Sequence, residues 1–357
     1  MQVQTVDLKK TYEHTVALND TTFTVEDGEF VTLLGPSGCG KTTFLRMIAG
    51  FIKPDHGKVY IGGLDITELP PHKRGIGMVF QNFALFPHMT VAKNVGYGLK
   101  MRGEKKDVIK KKVEECLELV GLSGYGDRYP HQLSGGQQQR IAIARVLAIE
   151  PKVMLLDEPF GALDKKLRVQ LQVELKKLIN RLHITAIFVT HDQEEALIMS
   201  DRIAVMEKGN VVQYDTPTEI YDHPSSEFVA TFIGNSNMVD GKVEALENGK
   251  IRIGLKQMMT IECDNLGSFV QGDDVRVLIR PENFELSTTD KNITGPMAGT
   301  VIFAVHLGSH SEYEVRLDSG CVIKANIQRV GGISGFQLED RVRVSLANEQ
   351  ACAVYHN

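Results

Sequence analysis

Residues 35–43, which read GPSGCGKTT, combine three glycines with a lysine and two threonines. Glycine lets the backbone curve around an anion with several N–H groups pointing inward. The segment matches the pattern G-x-x-x-x-G-K-[ST] through Gly35, Gly40, Lys41 and Thr42. In that pattern the lysine reaches the β- and γ-phosphates of a nucleotide, and the hydroxyl can bind Mg²⁺. The residue types and their spacing therefore predict a phosphate-binding loop, called the phosphate loop below.

The segments on either side of the phosphate loop favour this interpretation. Residues 29–35, EFVTLLG, form a short apolar run that is typical of a strand buried on both faces. Leu45, Ile48 and Ala49 follow at helical spacing. The N-terminus of that helix adds a partial positive charge. The alternative is a plain glycine-rich turn, which gives no reason for a lysine and a threonine at this place.

A second apolar run, residues 153–156, ends in two acidic residues. Asp157 at the strand end is placed to hold Mg²⁺ through water, because Mg²⁺ keeps much of its hydration shell. Glu158 can polarise a water molecule for attack. The alternative is a strand end followed by two solvated acids.

Two further apolar runs each end in a polar side chain. Residues 184–189 precede His191, and residues 76–80 precede Gln81. His191 either caps the following helix or hydrogen-bonds a γ-phosphate, and Gln81 can reach Mg²⁺ or the attacking water. Several buried strands that end in polar chemistry predict a parallel sheet with its site at the carboxyl edge.

The segment LSGGQQQR, residues 133–140, precedes an apolar helix and predicts a second anion site. Ser134, Gly135 and Gly136 open that helix, whose N-terminus favours negative charge. One nucleotide needs only one such cradle. We therefore expect two identical chains to pair head to tail, each offering this cradle to the nucleotide of the other.

Composition limits the remaining functions. The 357 residues have room for two domains, and the net charge of −5 disfavours nucleic acid as a partner. The five cysteines include no Cys-x-x-Cys pair, which is typical of a reducing compartment. The chain shows no signal region and no apolar run of ~18 residues, so we expect other chains to supply any membrane-spanning part.

The sequence pattern changes after residue 235. Before that residue, the segment 104–120 predicts a charged amphipathic helix. After it, short runs of alternating apolar and polar residues dominate. DDVRVLIRPE from Asp273 and DRVRVSLANE from Asp340 form a weak repeat, which suggests two related β-barrel units. Such barrels often bind nucleic acid, but sparse aromatic residues and acidic charge favour a regulatory or dimer-supporting role here.

Taken together, these motifs resemble those of the ATPase subunit of an ATP-binding cassette (ABC) transporter. The chain is most similar to importer subunits with a C-terminal TOBE or OB-like regulatory domain. In the family's order the motifs are GPSGCGKTT, Gln81, LSGGQQQR, LLDEP, GALD at residues 161–164, and His191. The resemblance implies an α/β P-loop NTPase core at residues 1–235, with a helical subdomain at about 85–150. An all-β OB-like domain then occupies residues 236–357.

The resemblance also implies residue roles. Glu158 is the catalytic base, with His191 and Gln81 beside it, while Asp164 lies at a dimer interface. The remaining roles concern ATP and Mg²⁺. ATP is bound in the same chain by Tyr12, Ser37, Gly38, Cys39, Gly40, Lys41, Thr42 and Thr43. ATP of the partner copy is contacted by Ser134, Gly135, Gly136 and Gln137. Mg²⁺ is held by Thr42, Gln81 and Asp157. For Tyr12, simple strand packing is the alternative to stacking on adenine.

The implied function is ATP-driven solute import, with polyamine (spermidine or putrescine) as the favoured cargo. Iron(III), phosphonate and sugar importers share much the same layout. A soluble ABC ATPase and a non-catalytic nucleotide-binding regulator are more remote alternatives. The implied partners are a second copy of the chain, two membrane-spanning permease subunits and, indirectly, a solute-binding protein. The implied location is the cytoplasmic face of the inner membrane, as a peripheral subunit.

Overall fold

The computed structural model describes residues 1–13, 15–160, 165–247, 249–256, 258–264, 269–287, 295–329, 335–347 and 352–356. Contacts divide the chain into two units, Met1–Pro217 and Thr218–Asn357. The domain boundary expected after residue 235 stays a prediction.

The first unit combines strands with helices. Its strands are β1 (Val3–Tyr12), β2 (Thr15–Val25), β3 (Phe30–Leu34), β4 (His56–Ile61), β5 (Leu64–Asp65), β6 (Ile76–Val79), β7 (Val153–Asp157), β8 (Thr185–Thr190), β9 (Arg202–Glu207) and β10 (Asn210–Asp215). Its helices are α1 (Lys41–Ala49), α2 (Val91–Val95), α3 (Tyr97–Met101), α4 (Lys106–Leu119), α5 (Gly135–Ala148), α6 (Lys165–Leu182) and α7 (Gln193–Met199). Single 3₁₀ turns occur at Pro71–Lys73 and Pro130–Gln132.

A six-stranded sheet in the order β10-β9-β3-β8-β7-β6 positions the predicted chemistry. Strands β9, β3, β8, β7 and β6 are parallel, whereas β10 is antiparallel to β9. Leu34 pairs with Thr190 and Val189 pairs with Asp157. The carboxyl ends of β3, β8 and β7 therefore meet at one edge of the sheet. This parallel arrangement was predicted from the continuous apolar runs, and it is confirmed.

Helix α1 connects this sheet to a second one. The second sheet has the order β2-β1-β4-β5 and is antiparallel. Phe44, Leu45 and Ile48 of α1 share a hydrophobic cluster with Val59 of the antiparallel sheet and Val31 of the six-stranded sheet. The helix that follows the phosphate loop is thus fixed from two sides.

The other face of the six-stranded sheet is covered by helices. Side chains from α2, α4, α5 and α6 pack with Phe30, Leu156 and Phe188 in a separate cluster. The helix predicted at residues 104–120 is α4, and its lysines are mostly exposed while Val113 and Leu117 are buried. Among the described residues, no helix is long and apolar enough to cross a bilayer.

The second unit is rich in β-strands. Its helices are α8 (Pro217–Asp222), which starts at the division, and α9 (Glu227–Phe232), with a 3₁₀ turn at Pro281–Asn283. Its strands are β11 (Asn237–Glu247), β12 (Lys250–Leu255), β13 (Thr260–Asp264), β14 (Asp274–Ile279), β15 (Phe284–Ser287), β16 (Ala298–His306), β17 (His310–Leu317), β18 (Val322–Gln328), β19 (Arg341–Leu346) and β20 (Cys352–His356).

These strands form two antiparallel sheets, β13-β12-β11-β14-β20 and β15-β19-β16-β17-β18. The repeated segments identified in the sequence become β14 and β19, one in each sheet. Residues of both sheets, among them Val277 and Val342, belong to one hydrophobic cluster. The predicted all-β, OB-like character of this region is confirmed.

Buried Arg280 explains why α8 and α9 pack with the second unit. Its guanidinium donates to the carbonyl oxygens of Ala230 at 3.1 Å, Ile233 at 2.6 Å and Tyr221 at 2.8 Å. A buried guanidinium requires such partners, because an unpaired buried charge is costly. The two short helices are therefore held against the β-strands by one side chain.

Candidate functional site

The phosphate loop connects β3 to α1 through a backbone that only glycine tolerates well. Gly38 and Gly40 have φ angles of 82° and 104°, values that L-residues rarely adopt. A Cβ atom at Gly40 would lie 2.2 Å from the carbonyl oxygen of Ala17. The loop thus owes its curvature to these glycines, and it ends at the N-terminus of α1.

Lys41 is held inside this loop. Its side chain is buried, and Nζ donates to the carbonyl oxygens of Gly35 at 2.7 Å and Pro36 at 2.9 Å. The thiol of Cys39 is also buried and lies 3.7 Å from Nζ. Ser37 and Gly38 are exposed. The positive charge is therefore fixed at the centre of the loop, while the rim of the loop faces solvent.

Thr42 and Asp157 are brought together from α1 and β7. The Thr42 hydroxyl donates to Asp157 Oδ1 at 3.2 Å, and a guanidinium nitrogen of Arg46 lies 4.0 Å from Oδ2. Burial raises the pKa of Asp157, and the hydrogen bond from Thr42 and the charges of Arg46 and Lys41 oppose that effect. Thr43 follows Thr42 and is half-buried.

The donor chemistry of this pair fits Mg²⁺. A hydroxyl and a carboxylate are hard oxygen ligands, and Mg²⁺ normally adds waters and phosphate oxygens to one or two carboxylates. Within the described part of the chain, no group of three or more His, Cys, Asp and Glu side chains could hold a metal without such additional ligands. Thr42 and Asp157 would therefore hold the ion together with a bound nucleotide.

We expect Asp157→Asn to raise the Tm of the nucleotide-free, metal-free protein near pH 7, because burial disfavours the ionised carboxylate that the amide replaces. The folded-state pKa of Asp157 is raised, so the ionised carboxylate opposes folding above that pKa. As the pH falls through the folded-state pKa, the carboxyl of Asp157 becomes protonated in the folded protein. The difference in Tm between the variant and the unchanged protein then disappears. Calorimetry between about pH 7 and pH 4 measures this dependence.

Asp55→Asn is the matched control for that experiment. Hydrogen bonds from Lys10 and Thr11 lower the pKa of Asp55. Its ionised form therefore favours folding above the ordinary pKa, and the amide is expected to lower the Tm near pH 7. A lower Tm for the Asp157→Asn protein near pH 7 would show that the charge of Asp157 is stabilised overall.

Glu158 is the centre of a second cluster, beside the first. Gln81 Nε2 donates to Glu158 Oε2 at 3.1 Å, and His191 Nδ1 lies 3.2 Å from Oε1. Because an ionised carboxylate only accepts hydrogen bonds, this contact requires the proton on Nδ1. The backbone N–H of Glu158 donates to Val189 O at 3.1 Å. Three strand ends, those of β6, β7 and β8, thus place an amide, a carboxylate and an imidazole where they can act on one water molecule.

The sequence predicts two roles for Gln81, one at the attacking water and one as a ligand of Mg²⁺. Its amide contacts Glu158, in keeping with a role at the attacking water. The other two predicted Mg²⁺ ligands, Thr42 and Asp157, contact one another. The assignment of Gln81 to Mg²⁺ stays a prediction.

Ser134 caps the helix that was predicted to form a second anion site. Its hydroxyl accepts from the backbone N–H of Gln137 at 3.4 Å, and Gln137 Oε1 accepts from the N–H of Ser134 at 3.1 Å. This capping box orients the first turn of α5, which begins at Gly135. A Cβ atom at Gly136 would lie 3.2 Å from Leu167 Cδ2, so α5 packs closely on α6. Each of the side chains of Ser134 and Gln137 thus accepts from the backbone of the other residue.

Tyr12 lies at the end of β1 with 44% of its surface exposed. The Lys10 ammonium lies 5.6 Å from the centre of its ring. An exposed aromatic face of this kind can stack on a planar base. Asp164, the residue predicted at a dimer interface, lies outside the described residues.

Two residues near the site were not among the sequence predictions. Arg46 follows Thr42 by four positions, and such pairs share one face of a helix. That spacing was a usable signal for its position near Asp157. Glu195 is buried on α7, and the usable signal was its position four residues before the apolar Met199, a spacing that places both on one face of the helix.

Two models of known protein families match this chain, one in each of its two units. A family model described as ABC transporter matches residues 18–161. A model described as TOBE domain matches residues 277–354.

Individual relatives match over most of their length. The spermidine/putrescine import ATP-binding protein PotA of Mesorhizobium japonicum is 49% identical over 94% of this chain and 91% of the relative. The Fe(3+) ions import ATP-binding protein FbpC of Brucella abortus is 45% identical over 88% of this chain and 87% of its own. A dimeric post-hydrolysis structure of the ATP-binding cassette MJ0796 bound to ADP and Pi superposes with a TM-score of 0.55 at 36% identity. That match covers 60% of this chain and 98% of the solved one.

Proposed function

This chain belongs to the ABC transporter family of ATP-binding proteins, and on that premise we propose that it hydrolyses ATP to drive polyamine uptake through a membrane transporter. Its ATPase activity follows from the family. The observation that carries the residue assignments is the position of Glu158 between Gln81 and His191, next to the Thr42–Asp157 pair.

The phosphate loop and Glu158 have separate roles in ATP hydrolysis. Lys41 and the N–H groups at the start of α1 stabilise negative charge on the β- and γ-phosphates. Mg²⁺ bound at Thr42 and Asp157 would neutralise further charge on the phosphates. Glu158 accepts a proton from the attacking water, while Gln81 and His191 orient that water. Tyr12 stacks on the adenine.

We further propose that a second copy of the chain completes each ATP site. The capped N-terminus of α5 favours an anion, yet Ser134 and Gln137 contact each other rather than the phosphate loop of their own chain. Head-to-tail pairing brings this helix to the partner's γ-phosphate. The dimeric structure of the related cassette MJ0796, bound to ADP and Pi, supports the pairing of two copies. The segment at residues 161–164, with Asp164, is assigned to the same interface.

A groove lined by α2, α3, α4 and residues 123–127 is the proposed docking site of the membrane subunits. It has a volume of about 1000 Å³ and is lined by apolar residues such as Met89 and Val113. Four exposed lysines line it as well: Lys93, Lys100, Lys106 and Lys110. Three exposed carboxylates, Glu114, Glu118 and Asp127, also line it. This chemistry suits a short helix with an apolar face flanked by charges of both signs. The chain would thereby lie on the cytoplasmic face of the membrane against two permease subunits, with a solute-binding protein acting through them.

The cargo assignment depends on the relatives. The PotA relatives are named for spermidine and putrescine, whereas FbpC is named for iron(III). We favour polyamine because several relatives that share 46–49% identity carry that name. Iron(III) is the second candidate, and the similarity to FbpC is the observation that supports it.

Reconstitution of the chain with its permease and solute-binding partners in liposomes tests this assignment. We expect spermidine or putrescine to stimulate ATP hydrolysis, with no stimulation by iron(III), phosphonate or sugar. Vesicles that lack the solute-binding protein provide the baseline. Stimulation by iron(III) but not by polyamine would contradict the cargo while leaving the ATPase assignment intact.

A further inference from the structure

A buried carboxylate lies behind the candidate site, outside the residues assigned to it. Glu195, on the first turn of α7, is only 4% exposed. Its Oε2 accepts a hydrogen bond from Thr190 Oγ1 at 2.5 Å, and its Oε1 accepts from Gln172 Nε2 at 3.2 Å. Burying a carboxylate is unfavourable unless it has such partners. The position of these partners indicates what the carboxylate does.

The first partner immediately precedes His191. Besides donating to Glu195, the Thr190 hydroxyl accepts from the backbone N–H of Asp192 at 3.0 Å. The Asp192 carboxylate in turn accepts from the backbone N–H of Glu195 at 3.3 Å. Hydrogen bonds thus join the residues on both sides of His191 to the same glutamate. The turn that presents the imidazole to Glu158 is fixed by this network.

The second partner joins the turn to α6. Gln172 contacts Glu195, and one helical turn earlier the Arg168 guanidinium contacts Asp192 at 3.2 Å. Helix α6 packs on α5 through Leu167 and Leu171, which lie against Gly136. The location of the turn is therefore coupled to the helices that surround it.

We propose that Glu195 is a positioning residue for ATP hydrolysis, which sets the place of the His191 ring relative to Glu158. This inference rests on the proposed function, in which Glu158 is the base and His191 orients the water. Glu195 acts through Thr190 rather than on the nucleotide. Its loss therefore lowers kcat and leaves KM for ATP unchanged.

Three variants give the first test. Glu195→Ala is expected to lower kcat roughly 10- to 100-fold, the cost of a small misplacement at a reacting centre. Thr190→Val removes the donor hydroxyl and is expected to reproduce that loss. It provides the same test if the Glu195→Ala protein does not fold. Glu195→Gln is expected to retain kcat. Its oxygen can still accept from Thr190, and its amide can donate to Gln172 Oε1 once the Gln172 side-chain amide turns over. Among the described residues that oxygen is buried without a hydrogen-bond partner.

A double-mutant cycle separates positioning from simple loss of stability. In a His191→Ala background, Glu195→Ala is expected to change kcat by less than about twofold, because there is no imidazole left to position. Val277→Ala removes buried methyl groups from the core of the second unit and reports what destabilisation by itself does to kcat.

The outcomes are distinguishable. If His191→Ala lowers kcat while Glu195→Ala and Thr190→Val do not, this inference is overturned and the proposed function remains. The inference is also overturned if Glu195→Ala is fully additive with His191→Ala, or if Glu195→Gln loses as much activity as the alanine variant. If His191→Ala leaves kcat unchanged, the role of His191 in the proposed function is wrong.

Discussion

Glu158→Gln is expected to lower kcat for ATP hydrolysis roughly 10²- to 10⁴-fold, the usual contribution of a general base, while ATP binding is retained. The amide has nearly the same shape, and its oxygen can still accept from Gln81. It cannot take up the proton that the attacking water releases. The variant should therefore bind ATP, stop before hydrolysis and accumulate as a dimer. Steady-state phosphate release, equilibrium ATP binding and size-exclusion chromatography with ATP measure these three effects.

Glu68→Gln is the matched control for that variant. Glu68 is exposed and pairs with Lys53 at 2.8 Å, so the same substitution there should leave kcat unchanged. Rapid turnover by the Glu158→Gln protein would show that the base is another residue. A parallel loss of ATP binding would show that Glu158 holds nucleotide rather than activating water.

Ser134→Arg is expected to lower turnover by about 100-fold or more, because the hydrogen bonds that a helix N-terminus offers to developing charge are lost. Binding of ATP to the phosphate loop should persist, because Ser134 contacts Gln137 and not that loop. Lys41→Ala is expected to abolish ATP binding itself, since it removes the cation inside the loop.

Ser287→Arg is the control, because Ser287 is exposed in the second unit. This substitution should change neither ATP binding nor turnover.

Mixing the two inactive proteins tests whether the site is shared between copies. In a heterodimer, the phosphate loop of the Ser134→Arg chain faces the intact Ser134 of the Lys41→Ala chain. One complete site then forms. ATP-dependent pairing can be measured as energy transfer between differently labelled chains. It should appear in the mixture and in neither protein separately. Its absence would indicate that each chain completes its own site.

The arrangement along the carboxyl edge was predictable because it follows from short stretches of sequence. An apolar run buried on both faces predicts a strand of a parallel sheet, and such strands end at a common edge. Polar residues that follow several such runs must therefore be neighbours, as Glu158 and His191 are. The glycines of the phosphate loop are equally local, since a positive φ at Gly40 is a property of that residue and its turn.

The sequence by itself thus determined the kind of site, its edge of the sheet and the α/β and all-β character of the two regions. Only the tertiary structure decided the strand order β3-β8-β7-β6 and the contact of Gln81 with Glu158. It also decided that Glu195 binds Gln172 and that Arg280 ties α8 and α9 to the β-strands. The physical reason is that these side-chain contacts join residues that are 23 to 77 positions apart in the sequence. Which distant elements pair depends on how all their buried faces pack together, and no single segment encodes that.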